Sequence, residues 1–204
     1  MTRRSSEVAT SRAPRERMTI EERREQLLRV GRGLFLERPY DQVSMDDVAQ
    51  RAGVSKALIF HYFTTKRDLY LELVRRAAKE LVEATFVGED RPPLERLTTG
   101  LERYLDFVEQ NERAYVALLT SGVGADPEVL GVVESVRKTF ADRILASIPP
   151  SETSHADIAV RGYVGFVEHA SIAWAQNKKM PKAELIELSI KALIAVLGLQ
   201  LPGR

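Results

Sequence analysis

The stretch from Ser44 to Lys66 holds the side chains of this 204-residue chain whose types and spacing point most clearly to a function. In S-M-D-D-V-A-Q-R-A-G-V-S-K-A-L-I-F-H-Y-F-T-T-K, helical spacing puts Lys56, Ala57, Leu58, His61 and Tyr62 on one face, mixing charge, small size and aromatic rings. Such a face offers a partner one cation, small apolar contacts and ring edges. Catalysis has less to work with. Glu152 and His155 form one E-x-x-H, but di-iron helical bundles need two copies plus further carboxylates, and Pro149-Pro150 places this one at a helix start. With three histidines, no cysteine and no nucleophile motif, no enzyme activity, metal or cofactor is expected. Gly122-x-Gly124 is no dinucleotide fingerprint, because no strand precedes it.

The elements that position this face are short. Ser44 caps a first helix and Asp47 reaches back to the cap N–H, an S-x-x-D form of the capping box. Val48, Ala49 and Ala52 form its inner side, Gly53 accepts positive φ past its end, and Val54 pins the turn. Ser55 caps a second helix whose Ile59 and Phe63 face inward. Two helices joined by a three- or four-residue turn with Gly form a helix-turn-helix, whose second helix enters the major groove. An ordinary antiparallel helical corner has the same spacing, so the motif alone leaves both readings open.

The wider context narrows them. From Glu21 to Tyr70, with L-L-R-V-G-R-G-L-F-L-E-R-P-Y-D leading into the motif, the chain closely resembles the N-terminal DNA-binding domain of the TetR family of transcriptional regulators. The resemblance implies a recognition helix starting near Ser55, with Lys56, Ala57 and Leu58 on base edges and His61 and Tyr62 further along. Phosphates are expected at Ser44 and Lys66, where helix starts offer free N–H groups. Three positions depart from the family: Pro39 stands for Gly, Leu58 for Thr and Phe60 for Tyr. A different exit toward Tyr40 is therefore expected, and two polar contacts are lost. The resemblance further implies a repressor released from double-stranded DNA by a small molecule held among C-terminal helices. Candidate lining residues are Tyr104, Phe107, Tyr115, Leu118, Phe140, Tyr163, Phe166, Val167 and Trp174, with Arg161, Glu168 or His169 orienting a largely apolar ligand. The plainer reading takes most of them as simple core.

Charge divides along the chain. Residues 1–80 hold seventeen Lys or Arg against twelve Asp or Glu, a surplus of five; residues 81–204 hold thirteen against seventeen, a deficit of four. Only the first part is thus suited to a polyanion. Residues 1–18 read as a disordered basic tail, whose Arg3, Arg4, Arg12, Arg15 and Arg17 could enter a minor groove. Thr19 to Glu22 makes a capping box, leaving Met1 and Met18 both open as translation starts. Nothing resembles a signal peptide, and the apolar run Ala192 to Leu199 is too short for a bilayer; a cytoplasmic protein with no membrane partner is expected.

The fold expected is all-α with about nine helices, because no stretch alternates with period two. The DNA-binding domain spans 19–66, a long connecting helix 67–87, and a ligand-binding and dimerisation domain 88–204. The last two helices, Ile158 to about Trp174 and Leu185 to Leu197, are apolar nearly all round, which predicts a homodimer through Ile158–Leu197. A helical module that binds a protein partner, or coats DNA without preference, would share these helices and the basic half.

Overall fold

Three capping boxes set the frame of the N-terminal part. The computed structural model describes residues 18–122, 126–148 and 155–199. In it Thr19 and Glu22 start α1 (Ile20–Glu37), Ser44 and Asp47 start α2 (Met45–Ala52), and Thr65 and Asp68 start α4 (Lys66–Ala84), each with both reciprocal bonds made. Between them, α3 (Lys56–Tyr62) begins where the Ser55 hydroxyl accepts from the Leu58 N–H at 3.2 Å. Gly53, at φ 67°, closes α2; its N–H and that of Val54 return to Gln50 and Ala49, which satisfies the last carbonyls and turns the chain sharply. The head's core is Leu27, Leu28, Leu34, Val48, Ile59, Phe63 and Leu69, nearly all sealed from solvent. Gly31 lets α4 come close, because a Cβ there would already touch both Leu69 methyls at 3.4 Å.

The exit after α1 is a 3-10 turn at Tyr40–Gln42 that helical periodicity did not indicate. Pro39, at φ −55° and ψ 154°, feeds it, and the Tyr40 ring packs edge-on against Tyr70 at 4.9 Å.

Beyond the head, α4 becomes a wall of the body. Leu71 and Val74 seal against Val129 of α7 (Pro127–Leu145), while Leu81 joins the larger core with α5 (Pro93–Gln110), α6 (Glu112–Thr120), α8 (Ala156–Asn177) and α9 (Lys182–Leu197). Nine α-helices and no strand occur among the described residues, so the all-α fold holds. Several ends shift from those expected. The α4 helix stops at Ala84, short of the expected 87, where the Thr85 hydroxyl turns back to the Leu81 carbonyl at 2.8 Å. The α8 helix runs on past Trp174 to Asn177.

The last two helices are not uniformly covered. One side buries Val160, Tyr163, Val167 and Trp174 of α8 with Leu185, Ile186, Leu193 and Leu197 of α9. The other leaves apolar side chains in solvent: Ile158 is 78% exposed, Val196 44%, Leu188 42% and Phe166 38%. No helix among the described residues is long and apolar enough to cross a membrane. The tail arginines at 3, 4, 12, 15 and 17, and Glu152 of the E-x-x-H, lie outside the described residues. His155 precedes α8 and is exposed, and no metal-holding group of His, Cys, Asp or Glu forms among the described residues.

Candidate nucleic-acid interface and linked cavity

Ile59 and Phe63 anchor α3 in the head and so turn the opposite side outward. Lys56, Ala57, Phe60 and His61 are exposed on it, with Leu58 and Tyr62 half-buried; the His61 ring meets Tyr62 edge-on at 5.4 Å. The face named from the sequence is therefore one contiguous surface on a rigidly seated helix. Its charge is tethered: Lys56 Nζ lies 2.9 Å from Asp46 at the start of α2.

The residues expected at phosphates are also engaged within the protein. The Ser44 N–H and hydroxyl both donate to Asp47 Oδ2 at 2.7 Å, and the hydroxyl accepts from the Asp47 N–H. These bonds hold the Asp47 carboxyl below its usual range, helped by Arg38 at 3.6 Å. Lys66 donates to the Tyr40 carbonyl at 3.0 Å and sits 4.1 Å from the Tyr40 ring centroid, so part of its role is to hold the Tyr40 turn. An ammonium has three donors, and this carbonyl takes one.

From that edge α4 carries a second device absent from the sequence reading. Arg67, one residue past Lys66, holds Asp126 through two bonds of 2.5 and 2.8 Å and Glu128 at 3.0 Å; Arg75 reaches Glu128 at 3.1 Å. Asp126 is also the cap of α7, accepting from the Glu128 and Val129 N–H groups. The Arg67 guanidinium, then these N–H groups, hold its carboxyl at about 2. The partners are separated by 59 residues, so no local signal could have paired them.

The α4 and α7 helices also enclose, with α5, α8 and α9, a cavity of about 880 Å³, at the upper end for small-molecule sites. Tyr104, Phe107, Tyr115, Leu118, Phe140, Tyr163 and Val167 line it. Phe166 and Trp174 do not: Phe166 points to solvent on the outer side of α8, and Trp174 is packed at its far end, its indole N–H donating to the Met180 carbonyl at 2.7 Å. Of the three suggested orienting groups, only Glu168 reaches the cavity. Arg161 is exposed and paired with Asp157, and the exposed His169 bonds the Gly165 carbonyl. Glu168 is itself gripped by Arg137, a cation that no local spacing singles out, through bonds of 2.5 and 3.0 Å. The Tyr104 and Tyr115 hydroxyls meet, and burial pushes Tyr104 up to about 12.

A helix-turn-helix head with its recognition face outward, carried on a helical body with an internal cavity, defines a DNA-binding transcriptional regulator. Residues 27–73 match the profile of bacterial regulatory proteins of the tetR family, and residues 93–196 that of the tetracyclin repressor-like C-terminal domain. A tetR-family regulator from Streptomyces coelicolor superposes with a TM-score of 0.80 at 31% identity, over 88% of this chain and 82% of that one. The transcriptional activator FasR of Mycolicibacterium smegmatis is 27% identical over 80% of this chain and 77% of its own. The repressor KstR of Rhodococcus jostii is 26% identical over 85% and 83%. The chain belongs to the TetR family.

Proposed function

We propose that the protein is a homodimeric repressor that binds a palindromic operator and lets go of it when a largely apolar molecule fills the body's cavity. Lys56, Ala57, Leu58, His61 and Tyr62 read bases, while Ser44, Ser55 and Lys66 meet phosphates and fix the register. The exposed apolar side chains Ile158, Phe166, Leu188 and Val196 pair with their copies about a two-fold axis. That pairing has to set the two α3 helices roughly 34–36 Å apart, one turn of duplex.

The observation that carries the reading is the double service of α4. Its first turn borders the DNA face, and its later residues Ala77, Ala78 and Leu81 line the cavity. A ligand that favours another spacing of the heads lowers DNA affinity by its differential binding energy, typically about 1–3 kcal/mol. Selection of bound duplexes from random DNA, with the mass in solution measured by sedimentation, tests the first half. A palindrome enriched about 10³-fold or more over random sequence is expected from a dimer. A monomer, or binding without preference, would mean a helical scaffold instead.

A further inference from the structure

Most polar groups on the cavity wall are already satisfied. The Tyr104 and Tyr115 hydroxyls face each other, Arg137 holds Glu168, and the Thr85 and Ser147 hydroxyls donate to the Leu81 and Arg143 carbonyls. Two groups are left over. The Tyr163 hydroxyl has no partner although the residue is only 3% exposed, so a buried polar atom is held ready for something that the protein does not supply. Arg143 is the second. Its guanidinium donates to the Val82 carbonyl at 2.9 Å and the Thr85 hydroxyl at 3.2 Å, lies over the Phe86 and Phe140 rings, and forms no ion pair among the described residues.

Capping the end of α4 explains part of Arg143. The carbonyl end of a helix offers about half a negative charge, which leaves the rest of the guanidinium uncompensated in a half-buried site. Burial is the sole cause shifting its pKa, and it shifts it down. Arg96, also on this wall, donates to Ser147 at 2.9 Å and likewise has no carboxylate partner among the described residues. The acidic residues nearby do not answer the pair: Asp142 is taken by Lys138 at 2.6 Å, Glu168 by Arg137, and Glu89 is exposed. Around these cations the wall is apolar, formed by Val74, Leu97, Leu101, Val136 and Phe140.

We infer that the cavity takes an anionic amphiphile, an aliphatic chain whose carboxylate or phosphate end is held by Arg143 and Arg96. This rests on the reading of the cavity as the effector site and names the class of effector. A neutral chain of the same length would bury the same methylenes and leave the guanidinium as it is, so the anion is what separates the two.

The test is displacement of Nile red from the full-length protein, without DNA, by 1-dodecanol, dodecanoate and dodecyl phosphate below their micelle concentrations. At least one anion binds roughly tenfold or more tighter than the alcohol, the worth of one charge-assisted bond, and their order identifies the head group. Arg143→Met brings the anions down to the alcohol's value, and Arg143→Lys keeps part of the advantage. Should Arg143→Met melt too early to assay, Arg96→Met carries the same expectation at a smaller loss. Dodecanol equal to both anions, an Arg143→Met effect equal on all three, or no displacement by any probe overturns the inference. A clear anion preference in a protein whose operator affinity ignores the ligand would keep this inference and sink the regulatory reading.

Discussion

The head and the body of this protein are held together by different kinds of contact. In the head, the helix starts are closed by neighbours three residues away, as in the Ser44–Asp47 and Thr65–Asp68 boxes, and ion pairs such as Arg76 with Glu25 tie α1 to α4 around a filled core centred on Ile59 and Leu69. In the body, among the described residues, only α7 starts on a side-chain cap; Arg137 grips Glu168 across 31 residues beside a cavity of about 880 Å³, and Arg67 with Asp126 joins the two parts. The head is packed throughout, whereas the body leaves space that its own side chains do not fill.

Truncating a leucine on each side gives the largest expected difference. Leu69→Ala empties a fully sealed site in the head and is expected to cost about 2–5 kcal/mol. Leu97→Ala, on a wall that already borders open space, is expected to cost about 1 kcal/mol. Urea unfolding of both variants measures it, and equal losses would erase the distinction. Gly53→Ala comes next. Nothing lies within 4 Å of the added Cβ, so only the φ of 67° opposes it, at about 1–2 kcal/mol. Ser44→Ala removes a cap and is expected to cost about 1 kcal/mol by the same measurement.

The junction between the two parts has a pH signature. The Asp126 carboxyl is held at about 2, below its ordinary 3.8, so its pairing with Arg67 stabilises the folded state above that ordinary value. The contribution fades as pH falls from near 4 toward 2. Melting of Asp126→Asn should therefore match wild type near pH 2 and fall behind it at pH 5 and above. A constant gap across that range would place the stabilisation elsewhere. The smallest effect is expected from Lys66→Ala, which should weaken binding alike on every duplex and lower the salt slope by about one. Altered base preference would instead assign Lys66 to reading, or its loss to the Tyr40 turn that it holds.

The same division explains what was legible in the sequence. The boxes at Thr19 and Ser44, the Ser55 cap and the Gly53 turn were readable, because caps follow rules of spacing. Which side of α3 faces outward was readable too, because Ile59 and Phe63, four apart, mark its inner side. The 3-10 turn after Pro39 was not, since it depends on Tyr40 finding Tyr70. In the body, periodicity located helices but not which faces meet. Phe166 and Trp174 match lining residues by type alone, but the fold sends one to solvent and packs the other within the body core away from the cavity wall. Arg143 and Arg137 carried no local mark, because their significance lies in partners present or missing across the fold.

The link between cavity and head is tested most directly on the selected operator, by measuring its affinity for the protein with and without a saturating aliphatic ligand of the cavity. The account predicts a drop of about 5- to 150-fold, the range of a coupling of 1–3 kcal/mol. An affinity that stays the same or rises would contradict it.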